Sequence, residues 1–117
     1  MNRQNIRLND FALARDLHPR LVDIESLKPL GAQTRKHPPA QLRKIESCLQ
    51  QFGFVAPILI DAHGRVVDGW GLVLAARQLG LRQVPAVVID DLDEAKLRLL
   101  RLALNRLSGT RHGTRPR

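Results

Sequence analysis

Aromatic residues are nearly missing from the chain: three Phe, one Trp and no Tyr in 117 residues. That scarcity argues against a surface of stacked rings for single-stranded nucleic acid. Cysteine occurs once, at Cys48, which excludes an intrachain disulfide and a cysteine set for zinc. No apolar run approaches the ~20 residues that a membrane-spanning helix needs. The N-terminal stretch MNRQNIRLNDFALARDL lacks the continuous apolar core of a secretory signal. These absences lead us to expect a single domain of a reducing cytoplasm, with no membrane partner and one modest core.

Acid is missing from one place in particular. Residues 96–117 hold Lys96, Arg98, Arg101, Arg106, Arg111, Arg115 and Arg117 and no carboxylate, although the whole chain has 19 basic and 11 acidic residues. Residues 1–95 are therefore close to neutral, and all but one unit of the net charge of +8 sits at the C-terminal end. Such a cluster suits a polyanion, duplex DNA first, and equally describes a solvated basic tail.

Residues 1–20 carry no sustained pattern, although Phe11 to Leu17 suits a short helix. Leu21 to Ile24 reads as a strand, and Ser26-Leu27-Lys28-Pro29 as a turn out of it. After the loop GAQTRKHPP, Pro39 opens a helix whose apolar residues Leu42, Ile45, Leu49 and Phe52 recur at spacings of three and four. Cys48 beside that stripe reads as a buried, inert thiol. Ile58–Ile60 and Arg65–Val67 flank Asp61-Ala62-His63-Gly64, the signal of a hairpin with His63 exposed at its tip. Residues 72–79 form a short helix with Leu72, Ala75, Ala76 and Leu79 on one face. Val84 to Ile89 is a strand buried on both faces. Asp93 caps a last helix running to Leu107, with Leu97, Leu100, Leu104 and Leu107 facing the core. Leu99 and Leu102 fall off that face and predict a homodimer through this helix.

Between hairpin and helix lies Asp68-Gly69-Trp70-Gly71. Two glycines at a strand-to-helix junction let backbone amides approach an anion. Asp68 reads as a turn or capping residue, because no second carboxylate lies near enough in sequence to share a metal. Asp90, Asp91, Asp93 and Glu94 do cluster, and they suit the positive end of the last helix. No catalytic residues and no metal ligands are expected.

The segments LKP (27–29), QTRKH (33–37), LRKIESCLQQFGFVAPILID (42–61), GRVVDGWG (64–71) and LAARQLGLRQVPAVVID (74–90) together resemble the N-terminal domain of the ParB family. The resemblance spans about Leu21 to Leu107. It implies an α+β fold shared with sulfiredoxin, a small mixed sheet with a hairpin and three or four helices. Residues 1–20 then form an extension and 108–117 a basic, disordered tail. It also implies a phosphate-gripping loop at Gly69 and Gly71, for CTP in the partition proteins, faced by a second box at Arg35, Lys36 and His37. In that loop Trp70 stands where the family places a polar residue, and Leu72 where it places arginine. Leucine offers phosphate nothing, and indole offers one N–H and no charge. The expectation is a vestigial site of Arg35, Lys36, His37, Gly69, Trp70 and Gly71 with weak CTP binding or none. Trp70 either plugs the pocket or stacks on a base. Sulfiredoxin chemistry needs a cysteine in this loop, and Trp70 occupies the position.

The functional expectation is a DNA-associated partition or regulatory module rather than an enzyme, cytoplasmic and associated with the nucleoid. Its weak, sequence-indifferent DNA contact runs through Arg98, Arg101, Arg106, Arg111, Arg115 and Arg117. The alternatives are a functional nucleotide switch and a protein-interaction adaptor without DNA binding.

Overall fold

The computed structural model describes residues 15–31 and 37–113, with side chains described as far as residue 107. Five strands form one mixed sheet: β1 (Arg20–Asp23), β2 (Lys28–Pro29), β3 (Ile58–Asp61), β4 (Arg65–Asp68) and β5 (Gln83–Ile89). Their order is β1-β5-β3-β4-β2. β3 and β4 make the expected antiparallel hairpin, β5 runs parallel to β3, and β1 pairs antiparallel with β5. Among the described residues the sheet is accompanied by three α-helices, α1 (Pro39–Phe52), α2 (Trp70–Gln78) and α3 (Glu94–Gly113), and by a 3-10 turn at Ile24–Ser26.

The strands alternate between two cores, as a pleated sheet covered on both faces must. Ile58, Ile60, Val66, Val84 and Ala86 join Leu49 of α1 and Val73, Ala75 and Ala76 of α2 on one face. Val67, Val87 and Ile89 meet Leu97 of α3 on the other, with Leu100 and Leu104 packed alongside. The expectation that β5 is buried on both faces is met. The result is an α+β fold with α1 and α2 on one side of the sheet and α3 on the other.

The hairpin turn is held by Asp61, which is only 3% exposed. Its carboxylate accepts from the backbone amides of His63 and Arg65, both at 2.9 Å, and from Arg65 Nε at 2.6 Å. Arg65 also donates to both carboxylate oxygens of Glu94, and Glu94 accepts from Arg98 at 3.0 Å. This network ties the hairpin to the first turn of α3. Asp93 caps that turn as expected, accepting from the Lys96 amide at 2.8 Å.

Several expectations need correction. Lys28–Pro29 is a short edge strand parallel to β4, not a free turn, because the amides of Lys28 and Leu30 donate to Gly64 and Val66. Pro29, which has no N–H, is compatible with such an edge. Phe52 is exposed: it lies in the final turn of α1, beyond Leu49 and just before the chain turns away at Gly53. Leu107 is also exposed, since burial fades from Leu97 through Leu100 and Leu104 as α3 leaves the sheet. Cys48 is exposed as well, because one residue of helix turns it about 100° away from buried Leu49. The backbone of α3 continues past Leu107 to Gly113. The helix expected from Phe11 lies largely outside the described residues, and Arg15 to Leu17 are not helical.

Candidate functional site

The strand-to-helix junction sits where β4 runs into α2. Gly69 is the N-cap of α2 with φ +107°, a left-handed conformation that side chains rarely adopt. A Cβ there would also lie 2.6 Å from Ile58 Cγ2. Gly71 is buried, and a Cβ on it would meet His37 Cε1 at 3.1 Å and Ile45 Cδ1 at 3.3 Å. Both glycines therefore have packing reasons to be glycine. The first helical bond, from the Val73 amide to the Gly69 carbonyl, leaves the amides of Trp70, Gly71 and Leu72 ahead of it.

The structure brings His37 to this junction, with its ring over Gly71 and Nδ1 3.0 Å from Gln41 Oε1. Arg35 and Lys36, expected beside it, lie outside the described residues. Trp70 and Leu72 are half-buried and pack against the core of the α1/α2 face. The single basic residue of α2, Arg77, is engaged by the Trp70 ring and by the segment after β1. Its guanidinium lies 5.4 Å from the centre of the Trp70 ring, and Nη2 donates to the carbonyls of Leu27 at 3.1 Å and Ile24 at 3.3 Å. Arg77 was not singled out by pattern, since nothing in the sequence signals that an arginine seven residues along will reach the indole.

Asp68 does not cap α2: that position belongs to Gly69, and no side-chain hydrogen bond caps the helix. Desolvation beside the fold pushes the Asp68 carboxyl above the usual carboxylate range. The acidic cluster before α3 is engaged in structure. Asp91 takes a two-pronged contact from Arg15, with both donors at 2.9 Å, which holds its carboxyl below the ordinary range. Asp93 is the cap and Glu94 pairs with Arg65 and Arg98. Among the described residues no three His, Cys, Asp or Glu side chains assemble a metal site.

Of the basic residues expected on DNA, Arg98 is paired with Glu94 and also lies against Gly31, its Nη1 2.9 Å from where a Cβ would stand. Arg106 is exposed and Arg101 half-buried. The side chain of Arg111 and all of Arg115 and Arg117 fall outside the described residues. Leu99 and Leu102 are 65% and 51% exposed, off the packed face as expected. Among the described residues no helix is long and apolar enough to cross a membrane.

No protein-family model matches the chain. Individual proteins do. The ParB-like nuclease domain-containing protein YnaK of Escherichia coli K12 is 36% identical over 76 residues, 64% of this chain and 87% of that protein. Among solved structures, the C-terminally truncated partition protein ParB of Caulobacter crescentus with CTP-γ-S superposes with a TM-score of 0.65 at 25% identity. The match covers 75% of this chain and 52% of that one, so the chain spans about half of the partition protein. Sulfiredoxin from Arabidopsis thaliana shares the fold, with a TM-score of 0.58 and 17% identity over 71% of this chain and 96% of its own. The identity to YnaK across most of its length, together with the sheet, the hairpin and the glycine junction, places the chain in the ParB-like domain family.

Proposed function

We propose that this is a ParB-like DNA-maintenance module that associates with duplex DNA through the basic end of the chain and has lost most of its capacity to bind nucleotide. The observation that carries the second half is the packing of Trp70 and Leu72 against the core at the mouth of α2. Those positions hold polar and arginine residues in the family pattern, and here they present hydrocarbon to the place where a triphosphate would need charge. Arg77 does not replace the cation, because it is committed to Trp70 and to two backbone carbonyls. Losing a charge-assisted contact to phosphate costs about 1.5–3 kcal/mol. The Caulobacter relative was solved with CTP-γ-S and also with its centromeric parS site. Of these two partners, this chain is assigned the nucleic acid.

Thermal unfolding with millimolar CTP, alone and with magnesium, tests the nucleotide half. A ligand at a hundred times its dissociation constant would stabilise the fold by about 2.7 kcal/mol, and no such upward shift is expected. Trp70→His with Leu72→Arg should create a shift where the native chain has none. A clear shift in the native chain returns the protein to the class of nucleotide switches.

A second reading, a homodimer through α3, is favoured by the exposure of Leu99 and Leu102.

A further inference from the structure

β1 is the open edge of the sheet: it lies outermost beside β5, while the opposite edge, β2, is two residues long and contains Pro29. Two observations fix the phase of its pairing. The Ile24 amide donates to the Arg82 carbonyl at 2.9 Å, and Leu21 stands opposite Pro85, which has no N–H to exchange. Bonded pairs alternate along an antiparallel ladder, so Arg20 and Val22 turn their backbone groups to β5 while Leu21 and Asp23 turn theirs outward. The Leu21 side chain is 64% exposed on this edge. The Asp23 carbonyl is already taken by the Ser26 hydroxyl at 2.7 Å. That leaves the Leu21 N–H and C=O and the Asp23 N–H unpaired among the described residues. Pro19, one residue before the strand, brings no N–H to the edge.

We propose that this edge pairs with β1 of a second copy, antiparallel, about a two-fold axis through Leu21. In that register each Leu21 exchanges N–H and C=O bonds with Leu21 of the other copy, and each Asp23 N–H donates to the carbonyl of the other Pro19. One position of the ladder remains, where an N–H from residue 19 would meet the Asp23 carbonyl. Proline has none to offer, and that carbonyl has its bond from Ser26. The edge is therefore complementary to itself, donor for acceptor. A strand of unrelated sequence would bring an N–H to a carbonyl already engaged. Exposed Leu21 meets its own equivalent across the axis, and Arg20 faces Val22 rather than another charge. The two-fold closes the pairing, because each copy covers the other's free edge. Residues 19–23 of each copy bury less than the ~1,200 Å² of a stable interface, so the pairing is populated at millimolar protein and not at micromolar. It is separate from the α3 leucines and goes beyond the nucleotide and DNA readings, on neither of which it depends.

Cross-linking of the full chain by a short bis-maleimide tests the pairing. Cys48→Ser removes the native thiol, and Leu21→Cys or Glu25→Cys supplies a new one at an exposed position. In the proposed register the two Leu21→Cys side chains are neighbours across the axis. Residue 25 lies opposite residue 17, about 26 Å from its own equivalent at ~3.3 Å per residue. At millimolar protein Leu21→Cys should form the covalent dimer several times faster than Glu25→Cys, and equally so with Leu99→Glu and Leu102→Glu also present. Equal rates at the two positions, or loss of the difference with the α3 substitutions, overturn the proposal. Amide spectra of the native chain supply a second readout that needs no thiol. The Asp23 amide should shift with protein concentration, and the shift should vanish in Leu21→Pro, which removes an outward donor and no bond of the sheet. An Asp23 amide that is unmoved by concentration overturns the pairing. One protected from exchange to the same degree at every concentration places another segment of the same chain on the edge, and overturns it as well.

Discussion

Arg77 holds its guanidinium 5.4 Å from the centre of the Trp70 ring, seven residues back on the same helix. The pair spans α2 from its first residue to its last turn, and the same guanidinium reaches the carbonyls of Ile24 and Leu27. Its Nε is buried with no hydrogen-bond partner among the described residues. Such an arrangement stabilises through the cation over the ring and the two bonds that the guanidinium donates, against the cost of one buried donor left unpaired.

Replacement of Arg77 by methionine keeps the stem and removes the charge. It should destabilise the fold by about 1–2 kcal/mol, as two carbonyls lose a donor and the indole its cation. Trp70 is the lone tryptophan, so its emission reports the change directly. An unchanged emission maximum together with unchanged stability would mean that the contact contributes nothing in solution.

The Asp61 network predicts an acid limb to the stability curve. Burial works to raise the Asp61 carboxyl, but the amide and guanidinium of Arg65 and the amide of His63 outweigh it and hold it below the ordinary range. A carboxyl depressed in the folded state stabilises above its unfolded value, near ~3.9, and that contribution is lost as pH falls through the folded value. Glu94 is lowered in the same direction, chiefly by its bond from Arg65. Denaturant midpoints should therefore be level near neutrality and fall below about pH 4. Asp61→Asn should cost about 2–4 kcal/mol at pH 7 and flatten the acid limb. An Asn variant with the native pH profile would show that the turn is held by something else.

DNA contact should be weak and indifferent to sequence. If four to six phosphates are engaged, log affinity against log salt should fall with a slope of about −4 to −5. Removing residues 108–117 deletes Arg111, Arg115 and Arg117, and should lower both the affinity and the slope. Equal binding by the shortened chain would relegate those residues to solvent. No retention by the full chain at low salt would leave the adaptor reading.

Sedimentation at high micromolar concentration is expected to show a dimer that Leu99→Glu with Leu102→Glu converts to monomer. Both side chains lie outside the intrachain core, so these substitutions should leave the melting temperature of the monomer nearly unchanged. A native chain that sediments as a monomer would remove the α3 interface.

Periodicity and turn chemistry by themselves determined the hairpin, the doubly buried β5, the starts of α1 and α3 and the core residues Leu49, Val84 and Leu97, but placed the start of α2 at residue 72, two residues after Trp70. Local rules suffice there: alternation follows the pleat, Gly64 supplies the positive φ of the turn, and Asp93 satisfies the amides of a new helix. The family motif likewise located the glycine junction and its missing arginine. Tertiary structure decided the rest. Whether Lys28–Pro29 pairs depends on a strand almost forty residues away. The exposure of Phe52 and Leu107 depends on where each helix ends against its neighbours, and that of Cys48 on which side of the α1 stripe meets the sheet. The same holds for Trp70 and Leu72. Their identities say that a cation is missing, but only the packing of α1 against α2 shows that hydrocarbon takes its place, because burial belongs to the pair of surfaces and not to either sequence segment alone.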